Sequence, residues 1–458
     1  MLSELVQEIA TRIEAKESRT RSRTASNQTR FLFSIEYILT DLWKSAYTIP
    51  PNRRCRIHLN KNYYASKYSP EELGYEPTLD AFKGMSALGL IDNKLGHFDR
   101  SKSNPSGEVT RYWLRDELAE RLRAIDSHPA VHSKSDPSKD NLILRNSQKV
   151  TVPFTHTDKT LEMAKNLKLI NSCLERHWVD IKVKDSQMTE LIKALGNREA
   201  EDRQFIDLSK RTLIRRFSDG RFDRHGRFYG AFWQNIPRAY RDLITIDGKR
   251  TNEYDYDTFH PTMVYKLSGK ELGSEDPYSR VLGEEYRQTV KKAFNSMLSS
   301  KGSSHPPKWF RIDEVQMHWK DLVEKVLQAH QPIADTFFKN KGNELMFYDS
   351  QIAQNVMLHH VKADEVVLPI HDSFVMHHAY GSSGELEETM RRSYYEVMGS
   401  DIGISEQFIK EPVTIPEEDP TNVQWDDISM DTLLKGQPDY SEYIKRERLW
   451  WSSRSKKS

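Results

Sequence analysis

The sequence predicts an α+β protein of more than one domain, and three observations carry that expectation. Apolar residues recur at helical spacing in FLFSIEYILTDLWKSAY (31–47), TDKTLEMAKNLKLINSCLERHWVDI and DSQMTELIKALGNREAEDRQFI, the last two charged on one face and apolar on the other. From Thr212 to about Ile415 short β-type runs such as DLITI, EVVLPI and FVMHH alternate with helical stretches. The 458 residues are enough for two or three domains with cores of their own.

Taken in order, residues 1–29 read as a short amphipathic helix followed by a basic tether, ESRTRSRTASNQT. Residues 30–125 read as helix, short strand (RRCRIHL), a second helix in SPEELGYEPTLDAFKGMSALGLI, and a hairpin around FDRSKSNPSGEVTRYWL. That is a winged-helix pattern, which puts the helix near Lys83 in a major groove and sets Lys94, Arg100, Lys102 and Arg111 on the wing against phosphates. A packing or protein-docking domain of the same shape is the alternative. Residues 126–150 are polar and contain prolines, as a linker does, and 151–215 are helical. Residues 216–425 form the mixed region, and 426–458 end in the basic tail YIKRERLWWSSRSKKS, able to grip a nucleic-acid backbone or to pack its tryptophans locally.

Composition narrows the function classes. With 68 basic and 67 acidic residues, a polyanion must be met by local clusters, so nucleic acid is permitted but not implied. Cys55 and Cys173 form no CxxC and argue against a disulfide framework or structural zinc, as in a reducing cytoplasm. No apolar run reaches membrane-spanning length, and MLSELVQEIATRIEAK carries acids where a secretory signal would not. The expectation is a cytoplasmic protein without a membrane partner.

Two carboxylates stand out. VVLPIHDSFVMHH (366–378) is too apolar to be solvated on both faces, so Asp372 sits at a strand end, where it needs a cation, whether a metal or an arginine. Asp255 follows another β-type run in TNEYDYDTFHPTMVYKLSG (251–269). Two strand-end carboxylates from distant parts of a chain suit a pair of divalent ions of the kind that drive phosphoryl transfer, whereas either Asp alone reads as a turn former or ion-pair partner.

Four segments in order, GRFYGAFWQNIPRAYR (226–241), DYDTFHP (255–261), RQTVK (287–291) and PIHDSF (369–374), resemble those of family A polymerases, the family of bacterial DNA polymerase I and, more distantly, of single-subunit phage RNA polymerases. The resemblance covers roughly the C-terminal half. It implies a right-hand palm at 216–425 with short fingers at about 270–340 and a helical thumb at 151–215. It also implies that Asp255, Asp372 and the backbone carbonyl of Tyr256 hold two magnesium ions, or manganese in their place, all hard oxygen donors. Arg287 and Lys291, one helical turn apart, would hold an incoming nucleoside triphosphate with His260 and Tyr256 beside it. Arg227, Gln234 and His371 would meet a DNA template-primer, and Gln351, in ELMFYDSQIAQNVMLHHV (344–361), would face the minor groove unless that helix is simply core.

The chain departs from the family at Ser299 and Ser300, where motif B usually ends in Tyr-Gly, and at Ser373, where the DNA enzymes carry Glu. His260 stands where those enzymes place a Glu against the ribose 2′-hydroxyl. No spaced acidic motif of a proofreading exonuclease precedes the palm. The resulting expectation is template-directed DNA synthesis, with primase or RNA polymerase activity as the alternative and a non-catalytic replication initiator as the rival. A helicase or initiator partner is compatible with it and not identified by it.

Overall fold

A computed structural model describes residues 2–19, 21–65, 70–99, 106–132, 141–196, 205–302, 305–378, 384–407 and 438–455. The chain is mixed α/β, as the periodicities require.

Residues 2–125 gather around one core. The helix Ala25–Ala46 is capped by the Thr24 side chain, which accepts from the Asn27 amide, and it buries Phe31, Ile35, Ile38, Leu39 and Leu42 along one face. It packs on Tyr75–Ala87 and on a three-stranded antiparallel sheet in which Thr110–Leu114 lies between Cys55–Ile57 and Ile91–Lys94. The order helix, strand, helix, hairpin is the one expected. The tether is shorter than expected, however: Leu2–Glu14 buries Leu5, Val6, Ile9 and Ile13 in this same core, and the next helix already begins at Ala25.

The second core is larger and is built on a six-stranded sheet. Its order is Val367–Ile370, Ser373–His377, Lys249–Tyr256, Ile244–Ile246, Val179–Ile181, with Ile404–Glu406 also paired to Lys249–Tyr256. Every pairing in it is antiparallel. Helices Gly342–Val361, Glu385–Met398 and Phe259–Leu267 pack against one another and contribute buried side chains to that core. Arg287–Ser299 and Trp319–Ala329 join from one side.

Three expectations are corrected here. Residues 151–215 are not a separate helical unit: the helix Asp158–Arg176 packs into the main core, and Val179–Ile181, read as helix, is a sheet strand whose β-branched residues pair with Ile244–Ile246. The 126–150 linker contains a strand, Leu142–Leu144, parallel to Ile214–Ser218. The basic tail contains a helix, Ser441–Ser455, with Tyr443, Arg446, Leu449 and Trp450 buried. The Arg446 guanidinium donates twice to Asp180, with its Nη2 at 2.8 Å, on the sheet-edge strand, while Leu449 packs in the N-terminal core. Residues 426–437 and 456–458 of the tail lie outside the described residues. Among those described, no helix is long and apolar enough to cross a membrane.

Candidate active site

Alternation along Lys249–Tyr256 turns Thr251, Glu253 and Asp255 to one face. Antiparallel register sets Asp255 opposite Ser373, the residue after Asp372. Because Ile370 pairs with Ser373, His371 and Asp372 form a two-residue hairpin loop, with His371 left-handed at φ 59°. A tight loop between two buried strands therefore fixes Asp372 beside Asp255.

The two carboxylates feel each other. Burial raises the Asp255 carboxyl, Asp372 raises it further, and Lys291 opposes both. Burial is the largest influence on Asp372 and would raise it, but Arg227, His260, a backbone hydrogen bond and Lys291 together outweigh it, so its net direction is down. Asp255 Oδ1 is buried and accepts no hydrogen bond from any described group. An orphaned anionic oxygen beside a second carboxylate is the donor set a hard divalent cation takes, so the residues fit magnesium or manganese. Tyr256, the other expected ligand residue, has its side chain committed to the core: its hydroxyl donates to Met390 O at 2.7 Å and its ring stacks on Phe259.

The expected cations arrive from separate elements. Lys291 lies on Arg287–Ser299 and acts on both carboxylates. Arg287, on the same face, is held by Asp276 at 2.8 Å. Arg227, on the strand Arg221–Tyr229, is ion-paired to the buried Asp349, and its Nη2 lies 3.3 Å from His260 Nε2. Burial and Arg227 push His260 down to about 4, so the ring is neutral: Nε2 accepts from Arg227 and Nδ1–H donates to Asn295 Oδ1 at 3.1 Å. His371 is exposed at the loop.

The Gln234 amide donates to Phe228 O at 3.0 Å and Pro369 O at 3.2 Å, so this side chain braces the Asp372 hairpin. Gln234→Ala should cost about 1 kcal/mol, read by urea unfolding, and leave nucleic-acid affinity unchanged. Gln351 is half-buried on Gly342–Val361, its Nε2 buried without a partner among the described residues. Lys83 is exposed on Tyr75–Ala87, well away in sequence and core from the carboxylates. Arg100 and Lys102 lie outside the described residues.

Sequence reasoning missed three members of this site. Glu253 is a further carboxylate, fully buried where Asp255 and Asp372 are half-buried: its Oε1 accepts from Ser373 Oγ at 2.6 Å and from Arg241 at 3.1 Å, and it too raises Asp255. Its position two residues before Asp255 on one strand face was the available signal. Asp349 directly follows the apolar run LMFY, and Asn295 extends the stripe of Arg287 and Lys291 by one more turn. Elsewhere, Cys173, His177 and Asp364 bring ligand-type atoms within 4.8 Å of one another. There burial lowers His177, but Asp247, 2.6 Å away, and Cys173 outweigh it and bring the imidazole up to about 10.

A scan against protein-family models and a search of curated proteins find no match to this chain.

Proposed function

We propose that the chain is a template-directed nucleotidyl transferase with a right-hand polymerase palm, DNA synthesis being the first reading. The observation that carries it is the pairing of Asp255 with Asp372 at adjacent strand ends under Lys291, with one buried carboxylate oxygen unpartnered. Two divalent ions held by Asp255, Asp372 and the Tyr256 carbonyl would supply activation of the attacking hydroxyl and neutralise charge on the transferring phosphoryl group. The chain's own groups do the rest. Lys291 offers ammonium donors to a triphosphate, and Arg287 joins it by exchanging Asp276 for a phosphate, two anions that compete for one guanidinium. Arg227, fixed by Asp349 and His260, holds a positive charge in place near Asp372, where a primer end or nucleotide would lie.

The test is extension of an annealed primer on a DNA template with magnesium, comparing deoxy- and ribonucleotides. Incorporation that depends on template sequence is expected. No incorporation with either sugar, alongside intact DNA binding, would favour the non-catalytic initiator. Because a protonated Asp255 cannot hold a cation, the magnesium concentration for half-maximal activity should fall as pH rises from 6 to 8.

His260 favours a second reading, synthesis with ribonucleotides. Its neutral ring brings no carboxylate against a 2′-hydroxyl, although both nitrogens are already engaged. His260→Glu should shift the deoxy-to-ribo ratio of kcat/KM toward deoxynucleotides by about ten- to a hundredfold. An unmoved ratio would put sugar selection elsewhere.

A further inference from the structure

A second basic feature lies away from the carboxylates, where the N-terminal domain meets the body. A two-stranded ladder, Thr48–Ile49 against Ile206–Asp207, joins the two there. Beside it opens a cavity of about 540 Å³ walled by Arg54, Arg56, Arg111 and Trp113 from one side and Phe205 and Lys210 from the other. Among the described residues no carboxylate lines it; Arg53, which also lines it, is ion-paired to Asp41 at 2.8 Å.

The sheet register gathers basic residues on this wall. Arg56 pairs directly with Arg111, and Lys94 pairs with Arg111 from the other side, so three cations stand in a row across the outer face of the sheet. Lys94 is paired with Glu108 at 3.8 Å and Asp92 stands opposite Trp113 on this face, while Arg56 and Arg111 meet as like charges; the apolar residues that hold the sheet together face the other way. Two residue pairs further along, on the same face, Trp113 stays half-buried with the Arg54 guanidinium 4.6 Å from its ring centre. The opposite wall is tied to the body, since the Lys210 carbonyl accepts from the Phe232 amide at 2.8 Å, next to the QNIP stretch.

Cations in a row with an indole and a phenyl ring between them fit a ligand that alternates phosphate and aromatic base. We propose that this cavity is a single-stranded nucleic-acid subsite: Arg56, Arg111 and Lys210 take phosphates, and Trp113 and Phe205 stack on the bases of an unpaired stretch. The cavity's volume falls in the range of small-ligand clefts, about 300–1,000 Å³, which admits nucleotide units and excludes a duplex, whose bases are already stacked on one another. The site stands apart from Asp255 and Asp372 and does not require them to be catalytic.

The experiment titrates the full chain with a fluorescently labelled oligothymidylate at several salt concentrations, following anisotropy. Arg56→Ala, Lys210→Ala and Trp113→Ala are compared with the parent, and circular dichroism confirms that each is folded. Trp113→Ala should weaken binding by about tenfold. Arg56→Ala and Lys210→Ala should each flatten the dependence of log K on log salt by about 0.7. Unchanged affinity and salt slope in the exposed Arg56 and Lys210 variants would overturn the proposal, whatever becomes of Trp113→Ala. So would blunt duplex binding with the same losses in the same variants. Displacement of the oligonucleotide by an equimolar nucleoside triphosphate, with that affinity lost in the same variants, would overturn the strand in favour of a free nucleotide.

Discussion

Asp255→Asn will leave a protein that melts at or above the parent's temperature and incorporates no nucleotide. Burial and the neighbouring Asp372 raise the Asp255 carboxyl, so the folded state binds a proton there more tightly than the unfolded chain does. The stability from this group is present at low pH and is lost as pH rises through the folded value, so at pH 8 the ionised carboxylate is a liability that asparagine removes. Without divalent ions, thermal scans from pH 5 to 8 should show the parent losing ground to the variant as pH rises. With magnesium the order should reverse, because a cation bound to the native carboxylates stabilises only the parent. The activity loss should be several kcal/mol in the barrier, about a thousandfold or more. Asp372→Asn should be as inactive. Incorporation at the parental rate by either variant would end the polymerase reading.

Arg227→Ala should cost about 3–5 kcal/mol of folding stability, because it strands the Asp349 carboxylate in the core. Side-chain exposures of 14% for Arg227 and 3% for Asp349 leave water little access to take the arginine's place. Burial already pushes Asp349 up to about 6 with Arg227 beside it, and removing the guanidinium raises it further. A carboxyl whose folded pKa rises loses stability with increasing pH, so the damage should be smaller at pH 5 than at pH 8. Adding Asp349→Asn should recover most of the loss while leaving incorporation impaired, since the charge near Asp372 stays missing. Urea unfolding of the two single variants and the double variant measures this coupling. No recovery in the double variant would mean that Arg227 stabilises through packing alone.

What the sequence discloses follows from the kind of signal each element emits. The run VVLPI had to be a buried strand, and with His-Asp before SFVMHH it could turn only at His371 and Asp372, so the position of one carboxylate was legible. The helix–strand–helix–hairpin order of residues 30–125 was legible from periodicity and turn residues. Glu253 was not, because a charged residue on a strand reads as solvent-facing until the partner strand brings Ser373, and the loop after QNIP brings Arg241, over it. Leu142–Leu144 and Val179–Ile181 are three residues long, too short for alternation to register, and exist only because a partner strand satisfies their backbone. The helix Ser441–Ser455 buries Tyr443, Arg446, Leu449, Trp450 and Ser453 at helical spacing, but Arg446 and Ser453 interrupt that stripe with polar groups. Arg446 belongs inside only because Asp180 awaits it on a strand more than two hundred residues earlier, which no local pattern announces.

That helix also sets a scale. It enters the N-terminal core through Leu449 and grips the sheet edge through Arg446, while Asp185 accepts from the Ser441 amide at 2.8 Å to cap its start. The two cores cannot swing apart without pulling Leu449 from one or Arg446 from the other. A nucleic-acid strand that reached both the cavity at the joint and the carboxylates would be stretched over one constant interval, as between the jaws of a caliper. For such a strand, nuclease protection would span the same number of nucleotides whatever the sequence, and the first bond would form a set number of residues from wherever the cavity takes hold.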